Sequence, residues 1–310
     1  MNYGEWLHTW LEMYVKPTVK KKTYVNYYNV IMTHILPSLG KHEFEELTFS
    51  VLQNYVLELT ENGNKLTGAG LAPSTVGLIV SILQKSLRFA VEVGVAERQF
   101  SDHIKRPRVS ENKTECFSVA EQHRIEAEIL SKPPNKKLGI LLCLYTGVRI
   151  GELLALKWSD VDLQSKTITV RATCRDGYPD GILTKILDSP KTASSRRMIP
   201  IPKQIVPHLR ALKKGSKSEY VISNPGGEIV SVRSYQKLFE TMLARLGIPR
   251  KCFHTLRHTF ATRALECGMD VKTLSEILGH KSPNVTLNRY AHCMLEHKTA
   301  MMNRVGMLLK

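Results

Sequence analysis

The chain of 310 residues carries 44 lysines and arginines against 28 acidic residues, a formal net charge of +16. That length suits two domains of ordinary size, and that charge favours a polyanionic partner, most simply nucleic acid. Its six cysteines form no Cys-x-x-Cys pair, and neither a signal-peptide pattern nor a run of about eighteen apolar residues is present, which argues against secretion and membrane spanning and for a reduced, cytoplasmic protein.

Trp6, Leu7, Trp10, Leu11 and Tyr14 recur at helical spacing, which predicts a first helix over 3–15 that Pro17 ends. Lys20, Lys21 and Lys22 precede a second helix over 24–35, closed by Pro37-Ser38-Leu39-Gly40. Three lysines at a helix start in so basic a chain are expected to meet phosphate. A third helix spans about 50–61, and Pro73 opens a fourth that runs to Val93 with Lys85 and Arg88 on its polar side. These helices make an all-α domain over 1–100. The segment 101–114 is polar, basic and aperiodic and reads as a linker, where Lys105, Arg106 and Arg108 would follow a phosphate backbone.

The second domain takes 115–310. Ser118 with Glu121 three positions on is a capping box, opening a helix to about Leu130. An apolar helix over 136–145 ends at Thr146-Gly147, and Arg149 falls at the start of the next helix, anchored by Ile150, Leu153, Leu154 and Leu156. Alternation over 166–171 predicts a strand. The stretches 182–187 and 198–201 predict two more, with Lys191 in the Ser-Pro-Lys-Thr-Ala-Ser-Ser turn between them. The domain is therefore mainly α with a small antiparallel β-sheet. A helix over 206–212 follows, and Ser231 caps another through Leu246 whose start offers Arg233 and Lys237 to a DNA groove. A helix over 253–267 precedes one over 271–278 that Gly279 stops, and Ser282-Pro283 starts a helix reaching Tyr290. Beyond it, Met294, Met301, Val305 and Leu308 form an apolar stripe in the tail 291–310.

His254 and Arg257 stand three apart, on one face of a helix. An arginine fork binds phosphate bidentately and keeps its proton, while a tyrosine hydroxyl is an oxygen nucleophile that needs help to attack. A phosphodiester is the natural electrophile for such a set.

Five motifs then occur in order: Thr146-Gly147-Val148-Arg149-Ile150-Gly151-Glu152-Leu153, the turn lysine Lys191, His254-Thr255-Leu256-Arg257-His258, Leu278-Gly279-His280 and Arg289-Tyr290. With them the chain resembles a tyrosine recombinase of the phage-integrase family over nearly its whole length. The resemblance implies an all-α, SAM-like core-binding domain and an α+β catalytic domain closing on duplex DNA as a C-shaped clamp. It implies that Arg149, Arg257 and His280 bind the scissile phosphate and that Tyr290 attacks it to give a 3′-phosphotyrosine. Lys191 would protonate the departing 5′-oxygen, with Lys185 and Arg197 nearby as alternatives. His254 would assist proton transfer at the tyrosine, and Glu152 would orient Arg149. It further implies recombination sites with inverted core repeats, a homotetramer that exchanges C-terminal tails, an accessory directionality factor, and no metal or other cofactor. Many integrases begin with an arm-binding domain, whereas here the first helix starts at residue 3, which is expected to mark a simpler recombinase or a truncated chain.

Two arginines neutralising a five-coordinate phosphorus do the work of a metal ion, and the phosphotyrosine conserves the bond so that a DNA hydroxyl reverses the step without ATP. Other readings compete: a DNA-binding relic of such an enzyme, a topoisomerase of similar chemistry, and a metal hydrolase built on His254, His258 and His280. The relic reading is weakened by the presence of Arg149, Arg257 and Tyr290 together. The metal reading is weakened by Arg257, a cation set between two of its proposed ligands.

Overall fold

The computed structural model describes residues 1–97, 101–108, 115–177, 184–188, 196–280, 282–290, 302–303 and 305–307, with the side chains of 288–290 excepted. The chain folds into two compact units, Met1–Asn112 and Lys113–Lys310.

In the first unit the described residues form α1 (Tyr3–Thr9), α2 (Lys21–Val30), α3 (Leu36–Leu39), α4 (Phe49–Asn62) and α5 (Pro73–Glu92). Local chemistry sets their starts. The Asn2 side chain accepts from the Glu5 amide at 2.9 Å while the Glu5 carboxylate accepts from the Asn2 amide at 3.0 Å, Thr48 caps α4, and Pro73 stands at the start of α5. Two segments depart from the predicted α geometry: Trp10–Val15 and Ile31–Ile35 are π-helical, the first closing with Lys16 donating to the Leu11 carbonyl five residues back. The widened turns keep Trp10, Leu11, Val15, Ile31 and Ile35 directed into one core, where they meet Leu52, Ile79, Val80 and Leu83.

By composition α5 is long and apolar enough to cross a bilayer, with a mean hydropathy of 1.2. Its apolar face is used inward: Val76, Ile79, Val80, Leu83 and Leu87 lie in the helical core. Ser86 on the same helix satisfies two buried donors or acceptors, bonding Tyr3 Oη at 2.5 Å and accepting from Trp6 Nε1 at its carbonyl at 3.0 Å.

The predicted linker needs correction at its start. Ser101 and Ile104 are buried on the helical unit. Gln84 donates to the Ser101 carbonyl at 2.7 Å, Gln53 accepts from the Lys105 amide at 2.9 Å, and Arg106 donates to Gln84. A single apolar residue, Ile104, anchors an otherwise polar stretch, and side-chain amides satisfy its backbone. Residues 109–114 lie outside the described residues.

The second unit contains α6 (Val119–Leu130), α7 (Leu138–Thr146), α8 (Ile150–Ala155), β1 (Val161–Asp162), β2 (Thr167–Val170), β3 (Thr173–Gly177), β4 (Thr184–Asp188), β5 (Arg197–Pro200), α9 (Val206–Gly215), α10 (Val232–Arg245), α11 (His254–Glu266), α12 (Val271–Leu278) and α13 (Pro283–Tyr290). Among the described residues the strands form two antiparallel sheets. One has the order β1-β2-β5, with Ile168 opposite Ile199, and the other pairs β3 with β4, Thr173 opposite Asp188. The strands flanking Lys191 therefore belong to different sheets. β3 had no signal in the sequence: Thr-Cys-Arg-Asp-Gly alternates weakly, and its place is set by α8, where a Cβ on Gly151 would lie 2.5 Å from the Cys174 carbonyl oxygen.

The main core joins Leu141, Leu142, Leu153, Leu154, Ile168, Ile199, Tyr235, Phe239 and Leu256. A smaller separate cluster, Ala261, Ala264, Leu265, Leu274 and Leu278, holds α12 to the far end of α11. At α10, the Asp176 carboxylate of β3 accepts from the amides of Val232 at 3.0 Å and Arg233 at 2.9 Å, so the hairpin fixes the start of that helix.

Candidate active site

Three chain turns meet here: the one joining α7 to α8, the start of α11, and the one joining α12 to α13. Gly147 ends α7 in the left-handed conformation (φ 66°), and a Cβ there would lie 2.5 Å from the Phe260 ring of α11. Only glycine permits both the turn and that approach. The turn leaves the Gly147 carbonyl outside the helix, and it accepts from Arg257 Nη1 at 2.7 Å.

Gly279 repeats the device at the end of α12 (φ 64°), with the amides of Gly279 and His280 closing on the carbonyls of Glu276 and Ser275 at 3.0 Å each. The Leu278 carbonyl accepts from Arg257 Nη2 at 2.6 Å, and the Gly279 carbonyl accepts from Arg149 Nη2 at 3.3 Å. His280 Nε2 lies 2.9 Å from Arg257 Nη2, and its Nδ1 lies 2.7 Å from Thr286 Oγ1. A guanidinium has no acceptor, so Nε2 accepts and Nδ1 carries the proton donated to Thr286. Arg149, Arg257 and His280 are thus gathered on one turn, largely by main-chain carbonyls.

Arg149 occupies the residue before α8 and its side chain is 38% exposed, whereas Arg257 is 2% exposed. Glu152, on the first turn of α8, accepts from the Arg149 amide at 2.9 Å and from Arg149 Nη1 at 2.8 Å. Burial pushes the Glu152 carboxyl up, and the hydrogen bonds and charge of Arg197, with the charge of Arg149, outweigh it and hold the group at about 2. The carboxylate is charged throughout the neutral range. Two arginines on one buried carboxylate leave a cationic excess at an exposed guanidinium, which is a site for a bound anion such as a phosphate.

Tyr290 ends α13, four residues after the buried Thr286 that bonds His280; the Tyr290 side chain lies outside the described residues. Lys191 also lies outside them. His254 opens α11, exposed, with its ring edge-on to His258 at a centroid distance of 4.5 Å. Of the two alternatives to Lys191, Lys185 pairs with Glu228 at 3.3 Å and Arg197 is buried against Glu152 at 2.7 Å.

Sequence reasoning missed Thr286 and the tie between Arg197 and Glu152. Strand alternation carried a signal for Arg197: it shares the inward face of β5 with the buried Ile199, and an arginine there needs an anion. Nothing in the local pattern marked Thr286. The metal reading meets a different arrangement, since both ring nitrogens of His280 are engaged by Arg257 and Thr286, and no group of three or more His, Cys, Asp or Glu that could hold a metal ion occurs among the described residues.

The candidate DNA contacts are scattered. Lys20, Lys21 and Lys22 are exposed at the start of α2, and Arg233 and Lys237 are exposed on the first turns of α10. Lys105, Arg106 and Arg108 are at the end of the helical unit, all three exposed. Lys85 donates to Tyr27 Oη at 2.8 Å, and Arg88 pairs with Asp102 at 2.6 Å.

Residues 120–297 match the phage integrase family, and residues 2–60 match the phage integrase N-terminal SAM-like domain. A tyrosine recombinase XerC-like protein of Caldanaerobacter subterraneus subsp. tengcongensis is 30% identical over 96% of this chain and 80% of its own length. The ICEBs1 integrase of Bacillus subtilis is 25% identical over 94% of this chain and 79% of its own. Among solved structures, the Tn1549 transposon integrase in complex with transposon right end DNA aligns with a TM-score of 0.82 at 21% identity, over 99% of this chain and 100% of that one. A lambda integrase dimer bound to a COC′ core site aligns with a TM-score of 0.69 at 21% identity, over 92% and 97%. These likenesses establish the fold, an all-α domain followed by an α+β domain. The family match spans more than half of the sequence, through the turns that gather Arg149, Arg257 and His280, and with it the chain belongs to the phage integrase family as a tyrosine-type site-specific DNA recombinase.

Proposed function

We propose that this recombinase cleaves and rejoins DNA through a 3′-phosphotyrosine at Tyr290. The observation that carries the proposal is the convergence of Arg149, Arg257 and His280 on the turn after α12, directly ahead of the helix that ends in Tyr290. Arg149 and Arg257 neutralise the non-bridging oxygens as charge builds on the five-coordinate phosphorus. The Tyr290 oxygen forms its bond to phosphorus as the bond to the 5′-oxygen breaks. His254 assists removal of the tyrosine proton, Lys191 supplies the proton to the leaving oxygen, and His280 joins the phosphate contacts when Nε2, protonated, exchanges Arg257 for a phosphate oxygen. Rejoining is the reverse, with a 5′-hydroxyl attacking the phosphotyrosine, and needs neither a metal ion nor ATP.

The substrate in this reading is duplex DNA with inverted core repeats, bound by a core-binding domain (1–100) and a catalytic domain (115–310). Lys20, Lys21, Lys22, Lys105, Arg106, Arg108, Arg233 and Lys237 supply backbone contacts, and Lys85 and Arg88 join them where Tyr27 and Asp102 release them. Lambda integrase has been solved as a dimer on a core site and as a tetramer bound to a Holliday junction. By analogy the working form here is a homotetramer in the cytoplasm, with tails 291–310 exchanged between protomers and an accessory factor setting direction.

The test is covalent trapping in excess EDTA on nicked suicide duplexes tiled across the DNA flanking the gene. Wild-type protein is expected to form an adduct, and Tyr290→Phe to bind the same duplex without forming one. An adduct that survives Tyr290→Phe, or one that requires magnesium, overturns the proposal.

A further inference from the structure

Arg197 has no part in the chemistry above, yet it is deeply built into the site. Its side chain is 6% exposed. Nη1 donates to Glu152 Oε1 at 3.0 Å, Nη2 to Oε2 at 2.7 Å, and Nε to the Ile277 carbonyl at 2.5 Å. The same carboxylate oxygens accept from Arg149 Nη1 and the Arg149 amide. Each oxygen therefore has two donors, which fills the carboxylate's capacity.

We infer that Arg197 is a positioning residue for the recombination reaction: by occupying one side of Glu152 it confines Arg149 to a single side-chain bond with the carboxylate and keeps a net positive charge at the exposed guanidinium. The inference rests on the reading of Arg149 as a phosphate ligand. Arg149, Glu152 and Arg197 together carry one positive charge. Without Arg197 the sum is zero, and the oxygens it vacates invite a second nitrogen of Arg149 into the fork-to-fork pairing that guanidinium and carboxylate prefer. The phosphate ligand would then be neutralised by its own support.

The residue also reaches the other half of the site. A Cβ built on Gly279 would lie 3.0 Å from Arg197 Cδ and Nη1, so the side chain lies directly against the turn that carries His280, and its Nε bond fixes the last turn of α12. One buried cation from β5 thus supports both the Arg149 and the His280 sides. Outer-shell partners of this kind set the orientation of the groups that touch substrate.

The experiment compares wild type, Arg197→Gln, Arg197→Lys, Glu152→Gln and the double variant Glu152→Gln/Arg197→Gln. Each is measured for the single-turnover rate of adduct formation at saturating suicide duplex, for duplex affinity by gel shift, and for thermal unfolding. Arg197→Gln is expected to slow adduct formation by about 10- to 100-fold, the range in which outer-shell partners act, with affinity changed far less. Arg197→Lys keeps the charge without the fork and is expected to recover part of the rate; it carries the test if Arg197→Gln fails to fold. Because Arg197 acts through Glu152, its removal should cost several-fold less in the Glu152→Gln background than in wild type. Wild-type adduct formation with an undiminished rate in both Arg197 variants, or costs that simply multiply in the double variant, overturns the inference alone. Absence of an adduct from wild type itself overturns the phosphotyrosine reading and this inference with it.

Discussion

Gly147→Ala isolates the conformational demand on which the site's arginine cluster depends. At φ 66° an alanine is in the left-handed region, at a cost of about 1–2 kcal/mol. Its Cβ would stand 2.5 Å from Phe260 Cδ1 and 2.8 Å from Leu278 Cδ2, inside contact distance of two packed side chains, and overpacking of that kind costs about 1–3 kcal/mol. The sum, about 2–5 kcal/mol, corresponds to a fall of about 5–15 °C in the unfolding midpoint of a unit the size of Lys113–Lys310. Relief of either contact moves the Gly147 or Leu278 carbonyl that holds Arg257, so adduct formation should fall further than stability explains. Circular dichroism melting and suicide-duplex trapping, run below the variant's midpoint, separate the two effects. A midpoint within about 2 °C of wild type would refute the steric argument, and a destabilised protein with wild-type cleavage would refute the link to Arg257.

Gly77 provides the opposite case: it sits inside α5 with open space where a Cβ would stand and no left-handed backbone, so Gly77→Ala should stabilise the helical unit by about 0.5–1 kcal/mol, read as a raised denaturation midpoint. The Glu152 carboxyl predicts a pH dependence. Its folded value of about 2 lies below the ordinary 4.5, so its contribution is complete above that ordinary value and is lost as pH falls toward about 2. The stability deficit of Glu152→Gln should accordingly narrow by about 2–3 kcal/mol between neutral pH and pH 2, as urea titrations at each pH would record. A deficit independent of pH would mean that the carboxylate is not held by its arginines.

The parts of this fold that the sequence announces are those governed by neighbours within a turn. Pro73 at the start of α5, the reciprocal Ser118–Glu121 bonds at the start of α6, and the glycines that end α7 and α12 each act over three or four residues, and each is readable as such. The π turns are not, because they arise where α1 and α2 adjust their registers to a shared core. Nor is the attachment of 101–106, which depends on the side-chain amides of Gln53 and Gln84 from other helices. Within the site, a spacing of three marks Glu152 as the partner of Arg149, whereas its tighter partner Arg197 lies 45 positions away in a strand. Carbonyl groups carry no sequence signal at all, so the acceptors that hold Arg257 become visible only with the chain folded.

The small cluster that joins α12 to α11 gives the two halves of the site unequal footing. Arg149 stands before a helix whose leucines are rooted in the large core of the catalytic unit, while the turn bearing His280 hangs from a cluster centred on Ala261, Ala264, Leu265, Leu274 and Leu278. Local opening free energies follow the apolar surface that an element buries. Apolar burial alone would let the segment carrying His280 open more readily than the Arg149 half, and the bonds from Arg149, Arg197 and Arg257 to its carbonyls are what tie the weaker half to the stronger.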